Sequence, residues 1–260
     1  MKKALFLILL IASSAFADEP LLIAKMNPYV AGANVVAAAG GDSCTSGLLF
    51  SWHAETTTVT TGSPAGCSVG DTTAAVGSGS PSISSTYYND GANSASFPSA
   101  NAYYAFDWSS STPIVTTQNG RIDFWLRPPA TIYDGLPIVT LYVDASNFIQ
   151  VGYSGSTNLY LKHIGAGTSR EFSSGSSSLS LSNWNHIIAY WYATGNNNYH
   201  LKLCVDQSEG TTCTYGSWYD ALGTVTGSSG TLRIGDYTNY AAVGNVDNLK
   251  SYDDGSFVAP

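Results

Sequence analysis

The chain predicts an all-β protein, a sandwich or a barrel, and three observations carry that prediction. Apolar residues recur with a period of two in short runs. Clusters of Gly, Ser, Asn and Asp separate those runs at roughly ten-residue spacing. No amphipathic helix of three turns follows the leader. Charged residues make up only 11% of the chain and aromatics 12%, so the composition favours a packed core over simple disorder.

The leader comes first. Lys2-Lys3 is a short basic region, and residues 4–12 form an apolar stretch well short of the roughly 20 residues that span a bilayer. Ala15-Phe16-Ala17 is an A-x-A cleavage pattern. Residues 1–17 are therefore expected to be a signal peptide, leaving Asp18 first in the mature chain. An N-terminal membrane anchor is the rival, but neither a stop-transfer pattern nor a longer apolar run follows. No cysteine stands at the cut, which argues against a lipoprotein. The expectation is a secreted protein, extracellular, cell-surface or periplasmic, without membrane insertion.

Residues 18–45 are rich in Ala, Gly and Val and read as an N-terminal extension, with one strand expected near residues 34–38. Residues 46–260 form the packed domain, of a size common for one all-β unit. Leu48-Leu49-Phe50-Ser51-Trp52-His53-Ala54-Glu55 opens it, and residues 56–82 suit loops or weakly patterned edge strands. Asn89-Asp90-Gly91 is a turn signal before Ser94-Ala95-Ser96-Phe97 and Ala102-Tyr103-Tyr104-Ala105-Phe106.

In residues 121–127, period two puts Ile122, Phe124 and Leu126 on one face and Asp123, Trp125 and Arg127 on the other. Trp125 is expected to be buried, on the view that a sandwich strand has two apolar faces. Pro128-Pro129 ends the strand, because proline cannot donate to the ladder. Residues 138–143 and 148–153 flank Asp144-Ala145-Ser146-Asn147 as a hairpin, and residues 158–162 and 169–172 continue the meander.

Charge and cysteines narrow the function classes. Asp and Glu outnumber Lys and Arg by 18 to 10, and no basic run exists, so nucleic acid is not an expected partner. Four cysteines fit an oxidising compartment and allow three pairings. Cys204 and Cys213 flank a polar stretch with Gly210 that suits a hairpin loop, and Cys44 with Cys67 would then close the N-terminal part. Metal binding is the rival, but no C-x-x-C or close His pairing supports zinc.

The later chain has a recognisable order. Residues 121–128 are followed by Asn183-Trp184-Asn185-His186-Ile187-Ile188-Ala189-Tyr190 and Tyr199-His200-Leu201-Lys202-Leu203-Cys204-Val205-Asp206. Then come Leu232-Arg233-Ile234-Gly235 and Gly244-Asn245-Val246-Asp247-Asn248-Leu249-Lys250-Ser251-Tyr252. Over residues 46–255 this order resembles the laminin-G-like (concanavalin A-like) domains. The resemblance implies a two-sheet antiparallel jelly-roll sandwich used mostly for extracellular recognition.

It also implies two things to look for. Glycoside hydrolases with this sandwich carry Glu-x-Asp-x-Glu on one strand, because alternate side chains share one cleft. Here Glu19, Glu55, Glu171 and Glu209 lie far apart, and Asp123 has no acidic neighbour at two or four residues. Nor is there an H-E-x-x-H, a G-x-S-x-G or a phosphate-binding glycine loop. His53, His163, His186 and His200 are scattered, and His186 is expected to be packed or hydrogen-bonded. No enzyme is expected.

The second implication is a structural Ca²⁺ where the last strand crosses the first. Asp247 would give its side chain, with backbone carbonyls from the Gly91 turn and from near Ser51. The alternative is that Asp247 caps backbone amides without a metal. A further, ligand-bridging Ca²⁺ would use loop acids such as Asp144 or Asp236.

Carbohydrate is bound by aromatic faces for its C–H patches and by amides and carboxylates for its hydroxyls. Three loop clusters suit that: Tyr133-Asp134, Trp218-Tyr219-Asp220, and Asp236-Tyr237-Thr238-Asn239-Tyr240. The expected function is a non-catalytic recognition module for glycan or a glycosylated surface, as in adhesion. The alternative is a structural or assembly subunit of an extracellular layer or filament, with the N-terminal extension adding a strand to a neighbour's sheet edge and so self-associating. A polysaccharide-degrading hydrolase is the third possibility.

Overall fold

The computed structural model describes residues 48–54, 58–61, 71–73, 75–76, 79–109, 119–174, 179–193, 199–207, 210–218, 225, 227–238 and 240–253. The expected leader, extension and strand at residues 34–38 lie outside these, as do Cys44 and Cys67.

The described residues form strands and no helix. In chain order the strands are β1 (Leu48–Trp52), β2 (Thr58–Thr61), β3 (Asp71–Thr73), β4 (Ala75–Val76), β5 (Ser82–Ser84) and β6 (Ser94–Phe97). Next come β7 (Tyr103–Ser109), β8 (Asn119–Arg127), β9 (Pro137–Asp144), β10 (Asn147–Ser154), β11 (Asn158–Gly165) and β12 (Thr168–Ser173). The last are β13 (Asn185–Ala193), β14 (Tyr199–Gln207), β15 (Gly210–Trp218), β16 (Ser229–Gly235) and β17 (Gly244–Tyr252).

The larger sheet runs β15-β14-β13-β8-β17-β1-β2-β3, with β6 also on β17 and β5 on β6; the smaller runs β12-β11-β10-β9-β16-β7-β4. All pairings are antiparallel. This is the expected two-sheet sandwich. The polar stretch over residues 56–82 supplies short edge strands to both sheets: β2 and β3 to the larger, β4 to the smaller.

Alternation decides which side of each strand is buried. On β8, Ile122, Phe124 and Leu126 are buried while Asp123, Trp125 and Arg127 are half-buried. The two sheets meet through aromatic edges: Phe50 and Trp52 of β1 pack T-shaped on Phe106 and Tyr104 of β7. Phe97 of β6 does the same to Tyr104. Such edge-to-face pairs add about 0.5–1.5 kcal/mol each beyond the area they bury.

One expectation is corrected. Trp125 is not a core residue; it stacks on His186 of β13 with centroids 4.9 Å apart, on the outward side. An antiparallel sandwich strand has a single core face, and continuous apolar strands belong to parallel sheets covered on both sides.

The cysteine hairpin is as expected: Cys204 and Cys213 are direct cross-strand partners of β14 and β15 and form a disulfide.

Candidate functional site

The outward positions of the smaller sheet form a polar and aromatic row that crosses four strands in register. Lys162 of β11 faces Gln150 of β10, Gln150 faces Thr140 of β9, and Thr140 faces Arg233 of β16. Each alternates with buried core residues such as Leu161, Val151, Val139 and Leu232, so period two turns the row outward. Beside it, Phe148 and Tyr142 face each other with rings stacked at 6.4 Å.

Gln150 is the centre of this row. Its Oε1 accepts from the Tyr160 hydroxyl at 2.7 Å. Its Nε2 donates to Thr140 Oγ1 at 2.9 Å and to Tyr237 Oη at 2.7 Å. Tyr160 also reaches the Gly135 carbonyl at 3.3 Å. A Cβ on Gly152 would lie 2.3 Å from the Tyr160 ring, so only glycine lets that ring lie across β10.

Burial raises the Tyr160 phenol above its ordinary pKa, helped by Tyr237, Glu171 and Asp134 nearby. Burial raises Tyr237 as well, against the pull of Thr140, Arg233 and Gln150. Both stay neutral at physiological pH and keep their O–H donors.

This network joins two clusters that the sequence left apart. The Tyr133-Asp134 loop is tied down by Gly155 N–H donating to Asp134 Oδ1 at 2.8 Å, and Tyr133 stands 54% exposed. The loop after β16 is knotted around Asp236, which is wholly buried. Its carboxylate accepts from Thr238 N–H and Oγ1–H, and from the N–H groups of Tyr240 and Ala241, at 2.6–2.9 Å. Burial pushes its pKa up, but those hydrogen bonds outweigh it and hold the group below the usual range. Tyr240 is left 72% exposed at the rim. Asn239, Tyr219 and Asp220 lie outside the described residues; Trp218 ends β15 at the edge of the larger sheet, away from this row.

Arg233, Gln150, Tyr160, Tyr142 and Thr140 were not singled out from the sequence. Their outward positions were legible from alternation, but their meeting depends on strand register.

The Asp247 corner is a second polar centre. At this point β17 changes neighbour from β6 to β1 through a bulge, with Asn248 at φ +49°. Asp247 Oδ2 accepts N–H from Asn89 and Asp90 at 2.8 and 3.0 Å, and Oδ1 accepts from Asn248 N–H at 2.7 Å. Burial pushes its carboxyl up to about 6; the three amides pull down and Asp90 pushes up.

Asn248 Oδ1 is buried with no hydrogen-bond partner. A buried carboxylate and an unpartnered amide oxygen are donors that a hard cation takes. Three N–H groups already share that carboxylate. Ser51 pairs with Lys250, and Gly91 receives the turn at φ +71° with its N–H on Asp90. Asp144 accepts from Ser146 N–H and Asn147 Nδ2–H. Among the described residues, no three of His, Cys, Asp and Glu cluster as metal ligands.

The outward side of the larger sheet carries Asp123, whose Oδ1 is 2.5 Å from His186 Nε2, and Lys250 rather than a second acid opposite it. His186 is thus hydrogen-bonded, as expected. Two carboxylates about 5–9 Å apart, which glycoside hydrolysis needs, are not formed at Asp123 by its cross-strand partners Ile188 and Lys250.

Among solved structures, the chain is similar to the botulinum neurotoxin serotype D binding domain, at 10% identity and TM-score 0.58 over 81% of this chain and 49% of that one. It is also similar to domain 4 of AbnA, a GH43 extracellular arabinanase from Geobacillus stearothermophilus, in complex with arabinotriose (12% identity, TM-score 0.56, 81% of this chain and 94% of that one). A third is the binding domain of botulinum neurotoxin DC in complex with SialylT (9% identity, TM-score 0.53, 83% and 50%). The chain spans about half the length of the toxin chains. At these identities the likeness is one of fold. No family model and no curated protein matches the sequence.

Proposed function

We propose that this chain is a secreted, non-catalytic recognition module of the laminin-G-like type, and that it binds glycan on the outward face of the smaller sheet. One observation carries the reading. Gln150 draws Tyr160, Tyr237 and Thr140 into a fixed row, and exposed Tyr133 and Tyr240 stand on the loops before β9 and after β16, at one end of the sheet. Gln150, Thr140 and Tyr160 are themselves buried and fix the rings around them, and flat aromatic surface held in place suits the C–H faces of a sugar.

Two of the three solved structures above are complexes, one with arabinotriose and one, of which this chain spans half the length, with SialylT, and this supports the reading. Calcium at Asp247 belongs to the proposal as a structural ion that would brace the loop before β6. Secretion and a role in adhesion belong to the same proposal, supported by the leader pattern of residues 1–17 and by the extracellular use of such modules.

The test is a glycan array probed with purified mature protein in calcium-containing buffer, beside a Tyr133→Ala/Tyr240→Ala variant. Binding that the double variant weakens supports the assignment; no binding to any glycan sinks it. Release of reducing sugar from laminarin, agar or xylan would overturn the non-catalytic part.

A further inference from the structure

We propose that the glycan carries a carboxylate, and that Arg233 with Tyr142 and Tyr237 is the subsite that receives it; this rests on the glycan reading above. The guanidinium carbon of Arg233 lies 3.7 Å from the Tyr142 ring centroid and 4.8 Å from that of Tyr237. Its Nε donates to Thr231 Oγ1 at 3.0 Å, which sets the plane of the group. The two Nη atoms meet no acceptor among the described residues.

The acids nearby are directed elsewhere. Asp236, three residues on, gives both oxygens to the N–H groups of its own loop. Glu171 pairs with Lys162 at 3.4 Å, and Asp134 holds Gly155 N–H. Asp107 faces Thr231 across β7 and β16, and it is exposed without an ion pair to Arg233.

A planar cation with its Nη pair open, one edge fixed and two rings against it, matches the fork of a carboxylate. Phe148, stacked on Tyr142, continues the aromatic surface where the C–H face of the same sugar would rest. The chain as a whole carries a net charge of −8, which disfavours anionic ligands at a distance. A guanidinium without a counter-ion among the described residues supplies attraction at the point of contact.

The test uses the mature protein and matched ligand pairs: oligogalacturonate and a sialylated oligosaccharide, their methyl-esterified forms, sulfated oligosaccharides, and neutral oligosaccharides. The expected result is preference for the carboxylated ligands by about tenfold or more over their esters. Arg233→Gln should remove that preference, and Arg233→Lys should recover only part of it, because an ammonium lacks the fork. The ester comparison needs no variant, so it stands even if Arg233→Gln unfolds.

Neutral glycans bound as well as acidic ones, with Arg233→Gln without effect, would overturn this inference and leave the glycan reading intact. Binding confined to sulfated ligands would overturn it too. Binding to nothing would remove both.

Discussion

Gln150 Nε2 donates to Tyr237 Oη at 2.7 Å, joining a strand in the middle of the smaller sheet to a loop 87 residues later. The same amide takes the Tyr160 hydroxyl on its oxygen. One buried side chain therefore sets two aromatic rings at once. Substituting Gln150→Ala removes three hydrogen bonds, to Tyr160, Thr140 and Tyr237, each worth about 0.5–1.5 kcal/mol net. The expected outcome is a destabilisation of roughly 2–4 kcal/mol by denaturant unfolding, together with loss of glycan binding; wild-type affinity in a folded Gln150→Ala protein would show that the network does not position the ligand.

Gly152 is the space in which the Tyr160 ring lies. Gly152→Ala puts a methyl 2.3 Å from that ring, well inside van der Waals contact. The ring must move, and its hydrogen bond to Gln150 lengthens or breaks. Overpacking of this kind costs about 1–3 kcal/mol. Tyr160→Phe should remove the hydrogen bond without the clash, so comparing the melting of the two variants separates steric from polar cost.

The Asp247 corner makes a prediction with and without metal. Asp247→Ala leaves the N–H groups of Asn89, Asp90 and Asn248 without their acceptor, and should destabilise by about 3 kcal/mol or more. If calcium binds there, EDTA lowers the melting temperature of the wild type and not of Asp247→Ala, because a ligand bound only to the folded state raises stability. Equal melting with and without EDTA in both proteins would remove calcium from the proposal.

His163 gives the fold a pH dependence. It sits on the inner side of β11, wholly buried, and burial pushes its pKa down from 6.5 to about 4. The unfolded chain therefore binds a proton near pH 6.5 that the folded chain refuses until about pH 4. The stability that neutral His163 contributes is present above pH 6.5 and is lost as pH falls toward 4, by about 3 kcal/mol in all. Asp247, with its carboxyl pushed up, acts with the opposite sign over a similar range. Measuring unfolding in His163→Leu against wild type from pH 7 to 4 isolates the histidine: the variant should gain stability relative to wild type as pH falls, by about 3 kcal/mol at pH 4, and a constant difference would refute the assignment.

How much was legible in the sequence differs between strands and site. β17 is found at Gly244–Tyr252, the span its pattern outlined, and the hairpin of β9 and β10 turns at the expected Asp-Ala-Ser-Asn segment. Both depend on local signals, namely alternation and turn chemistry, which are written in neighbouring residues. Trp125 was misplaced for a related reason. Taking its strand to have two apolar faces put it in the core, but its parity with Asp123 and Arg127 was the better guide.

The sequence by itself determined the strands, their inward faces and the chemistry available on their outward ones. It also marked Tyr133, Tyr237 and Tyr240 as loop aromatics. Only the tertiary structure decided that Lys162, Gln150, Thr140 and Arg233 stand in one line across four strands, and that Tyr237 closes over Gln150. The reason is physical. Which face a residue takes follows from its own strand's period of two, whereas its neighbours across a sheet follow from register, set jointly by distant turns and by the packing of both sheets.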